Sequence, residues 1–512
     1  MTDQTVKRAA LFASVALIVA GALASFAFAT TFIGDDHLFL TFARLVPNPL
    51  VAFVSDQHGG EFYRPLPMTL WWLLTRAGAG AQWPFVLAAA GLHLLASAEV
   101  AVLATVAGEK KAAAAVAGLL FFLAPQNLDA AYWFSASTDL LATTATLGAL
   151  IVLARSSLGA GAVVLSAALA AVAYACKESA LALPLLAFLV IRRSDATGTR
   201  PSRVPIVPLA AIGAVGAILG LAALFVVVRW RILGGWGGSG DARAAVSGKA
   251  LQLLAGLIHI GTGSAALPEP LAWGFGCVAV AFLLRNALLG IRSGERTAGL
   301  ALAFTGVALL PLLGAEWAVG SRYFYLPAVG VAWLGGRCLV DAPFAARVLV
   351  WGTLMACSFL QAQQRHGDVV AYDGRVDAAR RAVREGVRDG HQVFQVASGV
   401  KDLDLAVKET LETGGQPAQF LVLTDVPASF VLMPPVLAAQ GTFLLASPPL
   451  PPSGAYRFAG RAVVGLARRG DDPLLDDVIR RFPDLQFIRL RLRLRPRPPT
   501  TSTAPEKAFS AP

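Results

Sequence analysis

The chain has 512 residues, of which 56% are hydrophobic and only 15% charged, with a net charge of +11 and a mean hydropathy of +0.62. Soluble globular domains carry about 25% charged residues, so a soluble enzyme with one large core is excluded. Repeated apolar stretches of ~20 residues indicate a polytopic α-helical membrane protein instead. The basic residues lie mostly in short loops between apolar runs, which makes topology control the reason for the charge and gives nucleic acid no place as a partner.

The first stretch, "MTDQTVKRAALFASVALIVAGALASFAFATTF", ends on a cleavage-like Ala27-Phe28-Ala29. Its apolar run exceeds the ~7–15 residues of a signal-peptide core, so an uncleaved signal anchor is expected. Apolar runs predict eleven spans, near 9–32, 84–107, 112–125, 139–154, 159–176, 179–191, 206–228, 270–290, 298–314, 323–340 and 346–361. Alternate connections hold Lys7 and Arg8, Lys110 and Lys111, Arg155, then Arg192, Arg193, Arg200 and Arg203. The same set continues with Arg285, Arg292 and Arg296, then Arg337 and Arg347. Each connection of that set is basic, which places it and the N-terminus in the cytoplasm and the end of the last span outside.

The opposite set collects the chemistry. It contains "GDDHLF", "YRPLPMTLWW", "PQNLDAAYWFSASTDLL", "CKESALALP", "RWRILGGWGGSGD" and "EWAVGSRYFYLP". The outer loop 33–82 includes a short apolar helix, "YRPLPMTLWWLLTR", expected along the membrane interface with Trp71 and Trp72 at headgroup depth. A second outer loop, 229–268, joins the glycine-rich "LGGWGGSGD" to another helix of that kind, "AVSGKALQLLAGLIHIGTG". The transmembrane domain is thus expected over 1–361.

From residue 362 the pattern changes to a charged helix, "RVDAARRAVREGVRD", followed by the strand-like "QFLVLTDVP", "TFLLASPP" and "RAVVGLARR". These predict a small periplasmic α/β domain over 362–495. In "FIRLRLRLRPR" apolar residues alternate with arginine at the period of a half-exposed strand. The tail 496–512, "PRPPTTSTAPEKAFSAP", has the composition of a disordered segment. Cys176, Cys277, Cys338 and Cys357 lie in apolar context without metal-ligand spacing and read as small packing side chains.

Asp35 and Asp36 stand side by side just past the first apolar run, where like charges repel and a carboxylate near lipid is costly. Aspartate is also a favoured helix N-cap. The residues alone therefore allow either a structural cap or an acid–base group. Arg64, Lys177 and Arg322 are basic residues on the side where the topology rule expects few, which sets anion binding against simple interfacial snorkelling. His93, inside an apolar helix, reads as a packing residue. Tyr63, Trp133, Tyr323 and Tyr325 fit sugar or prenyl stacking and an interfacial aromatic belt equally.

Seven segments in order, "GDDHLFL", "FYRPLPMTL", "LHLL", "WFSASTDLLAT", "CKESALALP", "VVVRWRILGG" and "SRYFYLPAVG", resemble the GT-C superfamily of multi-pass glycosyltransferases. Within it, the chain is similar to the transmembrane and tetratricopeptide-repeat-containing O-mannosyltransferases and their bacterial relatives, over roughly residues 30–335. It departs from them in having Ser137 before Thr138 and Asp139, Asp129 where the family has a glutamate, and no repeats after the last span.

The resemblance implies transfer of a sugar, mannose among the candidates, from a polyprenyl-phosphate carrier to a protein or glycan acceptor. It gives the general-base role to Asp35, with Asp36 as the alternative, and donor phosphate binding to Arg64, Lys177 and Arg322. Glu178, Asp139, Asp129, Tyr63 and Tyr323 are implied contacts of sugar or acceptor. Monophosphate donors rely on basic side chains, so no metal or other cofactor is expected, the lipid-linked sugar being a substrate. High Ala, Gly, Arg and Pro usage suggests a bacterial inner membrane. The rival readings are a lipid-linked-sugar transporter or flippase and a non-catalytic cell-envelope assembly protein.

Overall fold

The computed structural model describes residues 30–33, 35–46, 48–54, 62–79, 81–155, 159–194, 209–233, 246–260, 269–313, 321–388, 393–396, 421–424 and 487–490, with positions 21 and 25. The chain divides into two units, one of residues 1–373 with 432–440, the other of 374–431 with 441–512. The first unit is helical. Helix α1 (Asp36–Leu45) follows the acidic pair, and α2 (Pro65–Ala77) opens on proline, whose missing N–H costs nothing in a first turn. Next come α3 (Trp83–Val106), α4 (Lys111–Leu123) and α5 (Pro125–Tyr132). Proline pushes its predecessor out of helical geometry, and Ala124 is extended, so α4 and α5 meet at a 53° bend.

Helices α6 (Ser137–Ala154), α7 (Ala160–Cys176), α8 (Leu183–Ser194), α9 (Leu209–Leu233), α10 (Val246–His259) and α11 (Glu269–Arg292) continue the bundle. It closes with α12 (Arg296–Leu313), α13 (Ala328–Val340) and the 45-residue α14 (Phe344–Arg388), which runs out of the first unit into the second.

Among the described residues six helices are long and apolar enough to cross a membrane, or seven if the bent α4–α5 pair is one span. The expectation of about eleven is corrected accordingly. The predicted run near 9–32 lies mostly outside the described residues. Three others, Ala160–Cys176, Glu178–Ile191 and Ala328–Val340, are apolar but under 18 residues. Hydropathy alone does not set where a helix stops, and these three fall short of the ~20 residues a span needs. The six that qualify are Trp83–Val106, Phe134–Ala154, Ala210–Leu233, Pro270–Arg292, Arg296–Leu313 and Phe344–Gly374. Exposed Val164, Leu219, Val278 and Leu349 give the bundle the apolar outer surface that lipid requires.

Small residues set the closest helix contacts. Helix α13 packs on α4 and α12. A Cβ at Gly336 would strike the backbone of Ala113 and Ala117, and one at Gly330 the Ala301 carbonyl and Thr305. Without a hydrophobic drive between helices in lipid, such close backbone approach supplies the packing energy. Helix α6 packs on α3 and α7, and α7 also on α9. Of the Phe134–Ala154 span 78% is buried, against 17% of Pro270–Arg292, so α6 is the central helix and α11 a peripheral one.

In short helix α2, Trp71 is fully buried, donates its indole N–H to Ser137 Oγ at 3.1 Å and packs against Phe32, Phe39 and Phe85. Trp72 donates to the Val46 carbonyl and carries the Arg76 guanidinium over its ring. The "YRPLPMTLWW" helix thus packs one side against protein, with Leu73 exposed on the other.

In the second unit three four-residue strands are described: β1 (Val393–Val396), β2 (Leu421–Thr424) and β3 (Phe487–Leu490). They pair in parallel in the order β2-β1-β3, with Val393 opposite both Leu421 and Phe487. No helix of that unit other than the end of α14 is described, and the charged pattern "RVDAARRAVREGVRD" is the continuation of α14. The expected small α/β domain is corrected to this: the described residues there show one three-stranded parallel sheet of four-residue strands and, beyond the end of α14, no helix, hence no α/β domain. The predicted strands "TFLLASPP" and "RAVVGLARR" and the tail 496–512 lie outside the described residues.

Candidate active site

Charges gather at both ends of the bundle. At one end Lys110 pairs with Asp341, and Arg337 reaches Glu109, Glu295 and Thr297. Arg322, among the residues singled out in the sequence, lies ahead of the opposite end of α13.

The adjacent aspartates part company. Asp36 is fully buried. Its Oδ1 accepts from the Ser135 backbone N–H at 2.6 Å and its Oδ2 from that of Ile33 at 3.0 Å. Burial pushes its pKa up to about 8, and the neighbouring Asp35 charge adds to this, while the two backbone donors and the Arg365 charge oppose it. Asp36 is thus a clamp between the acidic loop and the turn before α6. Asp35 remains 31% exposed and faces Arg322, with Oδ2 3.6 Å from Nη2.

Arg322 comes from a 3-10 turn, Ser321–Phe324, ahead of α13. Its guanidinium lies 4.1 Å from the centre of the Trp133 ring and 5.4 Å from that of Tyr323. The same Tyr323 ring carries Lys177 Nζ at 4.3 Å. A single aromatic ring therefore stands beside two cations, attracting each through its quadrupole. Lys177 is buried and bonds both carboxylate oxygens of Asp139, at 2.6 and 2.5 Å. Burial lowers its pKa to about 8; the Asp139 carboxylate opposes that shift, and the Arg64 and Arg322 charges reinforce it.

Glu178, next in sequence, begins a 3-10 turn ahead of α8 and points to different partners. Arg64 donates to its Oε2 from Nη2 at 2.9 Å and from Nε at 3.3 Å, and Arg229 bonds its Oε1. Phe62 lies under the Arg64 guanidinium at 4.2 Å. Among the described residues, four cationic side chains, Arg64, Lys177, Arg229 and Arg322, thus meet three carboxylates, Asp35, Asp139 and Glu178, an excess of one positive charge.

Of the residues chosen from sequence, Asp35, Arg64, Lys177, Arg322, Glu178, Asp139 and Tyr323 come together here. Tyr63 is buried, donates its hydroxyl to the Phe53 carbonyl and packs on Phe225, a structural placement. Asp129 sits half-buried on α5, within electrostatic reach of Tyr132. His93 is the packing residue expected, bonded to the Tyr325 hydroxyl at 2.7 Å and the Phe122 carbonyl at 2.9 Å. Arg229 was not singled out. Its signal was the pair Arg229 and Arg231 near the end of an apolar helix: two residues apart, they point to different sides, and Arg231 is the exposed one. Among the described residues no three His, Cys, Asp or Glu side chains group as metal ligands.

No protein-family model matches the sequence, and no curated protein matches it. Solved structures do. ArnT from Cupriavidus metallidurans bound to undecaprenyl phosphate matches over 80% of this chain and 89% of its own, at 15% identity and a TM-score of 0.50. The chain shares the fold of that protein. At that identity the likeness is one of fold. The oligosaccharyltransferase of Archaeoglobus fulgidus in its apo form matches at 13% identity and a TM-score of 0.46, over 78% of this chain and 64% of that one. In this fold the charged cluster is assembled from six places: the acidic loop, the start of α2, the start of α6, the α7–α8 junction, the end of α9 and the turn before α13.

Proposed function

We propose that the protein is a membrane glycosyltransferase that moves a sugar from a polyprenyl-phosphate carrier to a protein or glycan acceptor at the periplasmic face. The observation that carries this reading is Asp35: the partly exposed carboxylate of the pair, 3.6 Å from Arg322 at the edge of a cation-rich cluster. The acceptor hydroxyl gives its proton to Asp35 as its oxygen bonds the anomeric carbon. The bond from that carbon to the phosphate oxygen breaks, and the electron pair leaves with the lipid phosphate. Arg322, Arg64 and Lys177 stabilise the charge that develops there, the arginines through bidentate contact.

Asp36 is a poorer base, since both its oxygens are occupied by backbone amides and it has no exposure. Tyr323, between Lys177 and Arg322, together with Asp139, which holds Lys177, and Glu178, which holds Arg64 and Arg229, shapes the sugar and phosphate subsite. Resemblance to the O-mannosyltransferases favours a hexose donor and inversion at the anomeric carbon. The basic loops favour a cytoplasmic N-terminus, with the C-terminal unit periplasmic.

The test is purified protein given a panel of polyprenyl-phosphate sugars, with Asp35→Asn alongside. Transfer by the native chain and its loss in a variant that still inserts and unfolds normally is the expected outcome. Unaltered transfer by Asp35→Asn sinks the assignment of the base.

A further inference from the structure

Helix α14 brings three polar residues of one face, Arg365, Tyr372 and Asp373, to the acidic loop, all within the first unit. Positions 365 and 372 are seven apart and so share a helical face, with 373 beside it. Thr31 Oγ1 donates to Asp373 Oδ1 at 2.9 Å and accepts from Gln82 Nε2 at 2.9 Å. On the other side of the aspartates, His37 Nε2 and the Tyr372 hydroxyl are hydrogen-bonded at 2.9 Å, with their rings 6.1 Å apart. Thr31, His37 and Tyr372 are all buried. The Arg365 charge acts on Asp36 between these two contacts.

The loop is therefore gripped four residues before Asp35 and two residues after it, by adjacent residues of one helix. These two hydrogen bonds are made by Thr31 and His37, not by Asp35 itself.

We infer that Tyr372 and Asp373 are positioning residues that hold the acidic loop in register, so that the Asp35 carboxylate faces Arg322. This rests on the proposed role of Asp35 for its catalytic consequence, though not for its geometry. A misplacement of about 1 Å at a reacting group costs on the order of 100-fold in rate even when the change lies away from the chemistry. Loosening the grips therefore lowers kcat while leaving the cation cluster, and donor affinity, in place.

Two readouts test this on the full-length protein. In the first, Asp373→Ala and Tyr372→Phe are compared with Asp373→Asn, which keeps an acceptor oxygen for Thr31. The expected result is a ten-fold or larger fall in kcat for the first two, an unchanged donor KM, and recovery in Asp373→Asn. An equal loss in all three, or a rise in donor KM with kcat intact, overturns the positioning role.

The second readout needs no activity. With Asp35→Cys as reporter, in a background where Cys277, exposed in the native chain, is replaced by Ser, the rate of labelling by a charged maleimide is measured with and without Asp373→Ala. A several-fold change in rate supports the grip, and identical rates refute it. If the rates differ but the native chain transfers no sugar from any donor, the grip stands and the glycosyltransferase reading falls.

Discussion

Lys177 and Asp139, at the end of one helix and the start of another, meet with Nζ at 2.5 and 2.6 Å from the two carboxylate oxygens, each side chain about 5% exposed. Two buried charges survive there because each is the other's solvent. Breaking such a pair from one side leaves a stranded charge and costs about 3–5 kcal/mol, whereas replacing both with apolar groups is often near neutral. Lys177→Met alone is expected to lower the unfolding temperature in detergent sharply. The double variant Lys177→Met with Asp139→Leu recovers most of the loss. Equal instability of single and double variants would show that the pair is not energetically coupled.

Arg322 has a different situation, half-wrapped by aromatic rings and partly open. A hydrogen bond to a charged group contributes about 1.5–3 kcal/mol, so Arg322→Gln is expected to weaken binding of polyprenyl phosphate about ten-fold or more. Arg337→Gln, at the opposite end of the bundle, leaves that affinity unchanged. Titration of both variants with the lipid in detergent separates the two ends, and equal weakening by both would remove the argument for a local phosphate subsite.

Asp36 gives the stability a pH dependence of definite sign. Its folded pKa is about 8, against an ordinary value of 3.8, so between those limits the folded chain holds a proton that the unfolded chain releases. Its contribution is fully favourable below about pH 4 and is lost as pH rises to about 8. Asp36→Asn, which cannot ionise, is expected to flatten the unfolding temperature across that window. A slope that persists unchanged in Asp36→Asn places its origin in another group.

Close helix packing makes a further prediction. Gly336→Val drives a branched side chain into the backbone of α4 at Ala113 and Ala117, and overpacking of this kind costs about 1–3 kcal/mol or more. Gly352→Ala, where nothing lies within 4 Å of the added carbon, is expected to leave stability unaltered. Thermal unfolding of the two variants in the same detergent is the measurement, and similar midpoints would refute the close contact.

The lesson for reading such chains lies in particular residues. "CKES" announced a lysine and a glutamate on the face opposite the basic loops, and both are in the cluster. The sequence order could not say that Lys177 turns to Asp139 while Glu178, one residue on, turns to Arg64 and Arg229. Backbone direction at the junction decides this: Lys177 is extended, with φ −164° and ψ 149°, and Glu178 begins a 3-10 turn. Trp71 is a similar case. Nothing in the local sequence shows that its indole is buried and donates to Ser137, 66 positions on.

By itself the sequence determined that this chain lives in a membrane, since its surplus of apolar side chains cannot be hidden within a soluble fold of this length. It also determined that acidic and basic groups alternate with the apolar runs on one face, because charge is expelled from lipid wherever it falls along a helix. Only the tertiary structure decided how many of the described runs are long enough to cross and which aspartate of the pair is buried. Those outcomes depend on helices meeting side to side over backbones bared by glycine, and such contacts join residues that no local pattern connects.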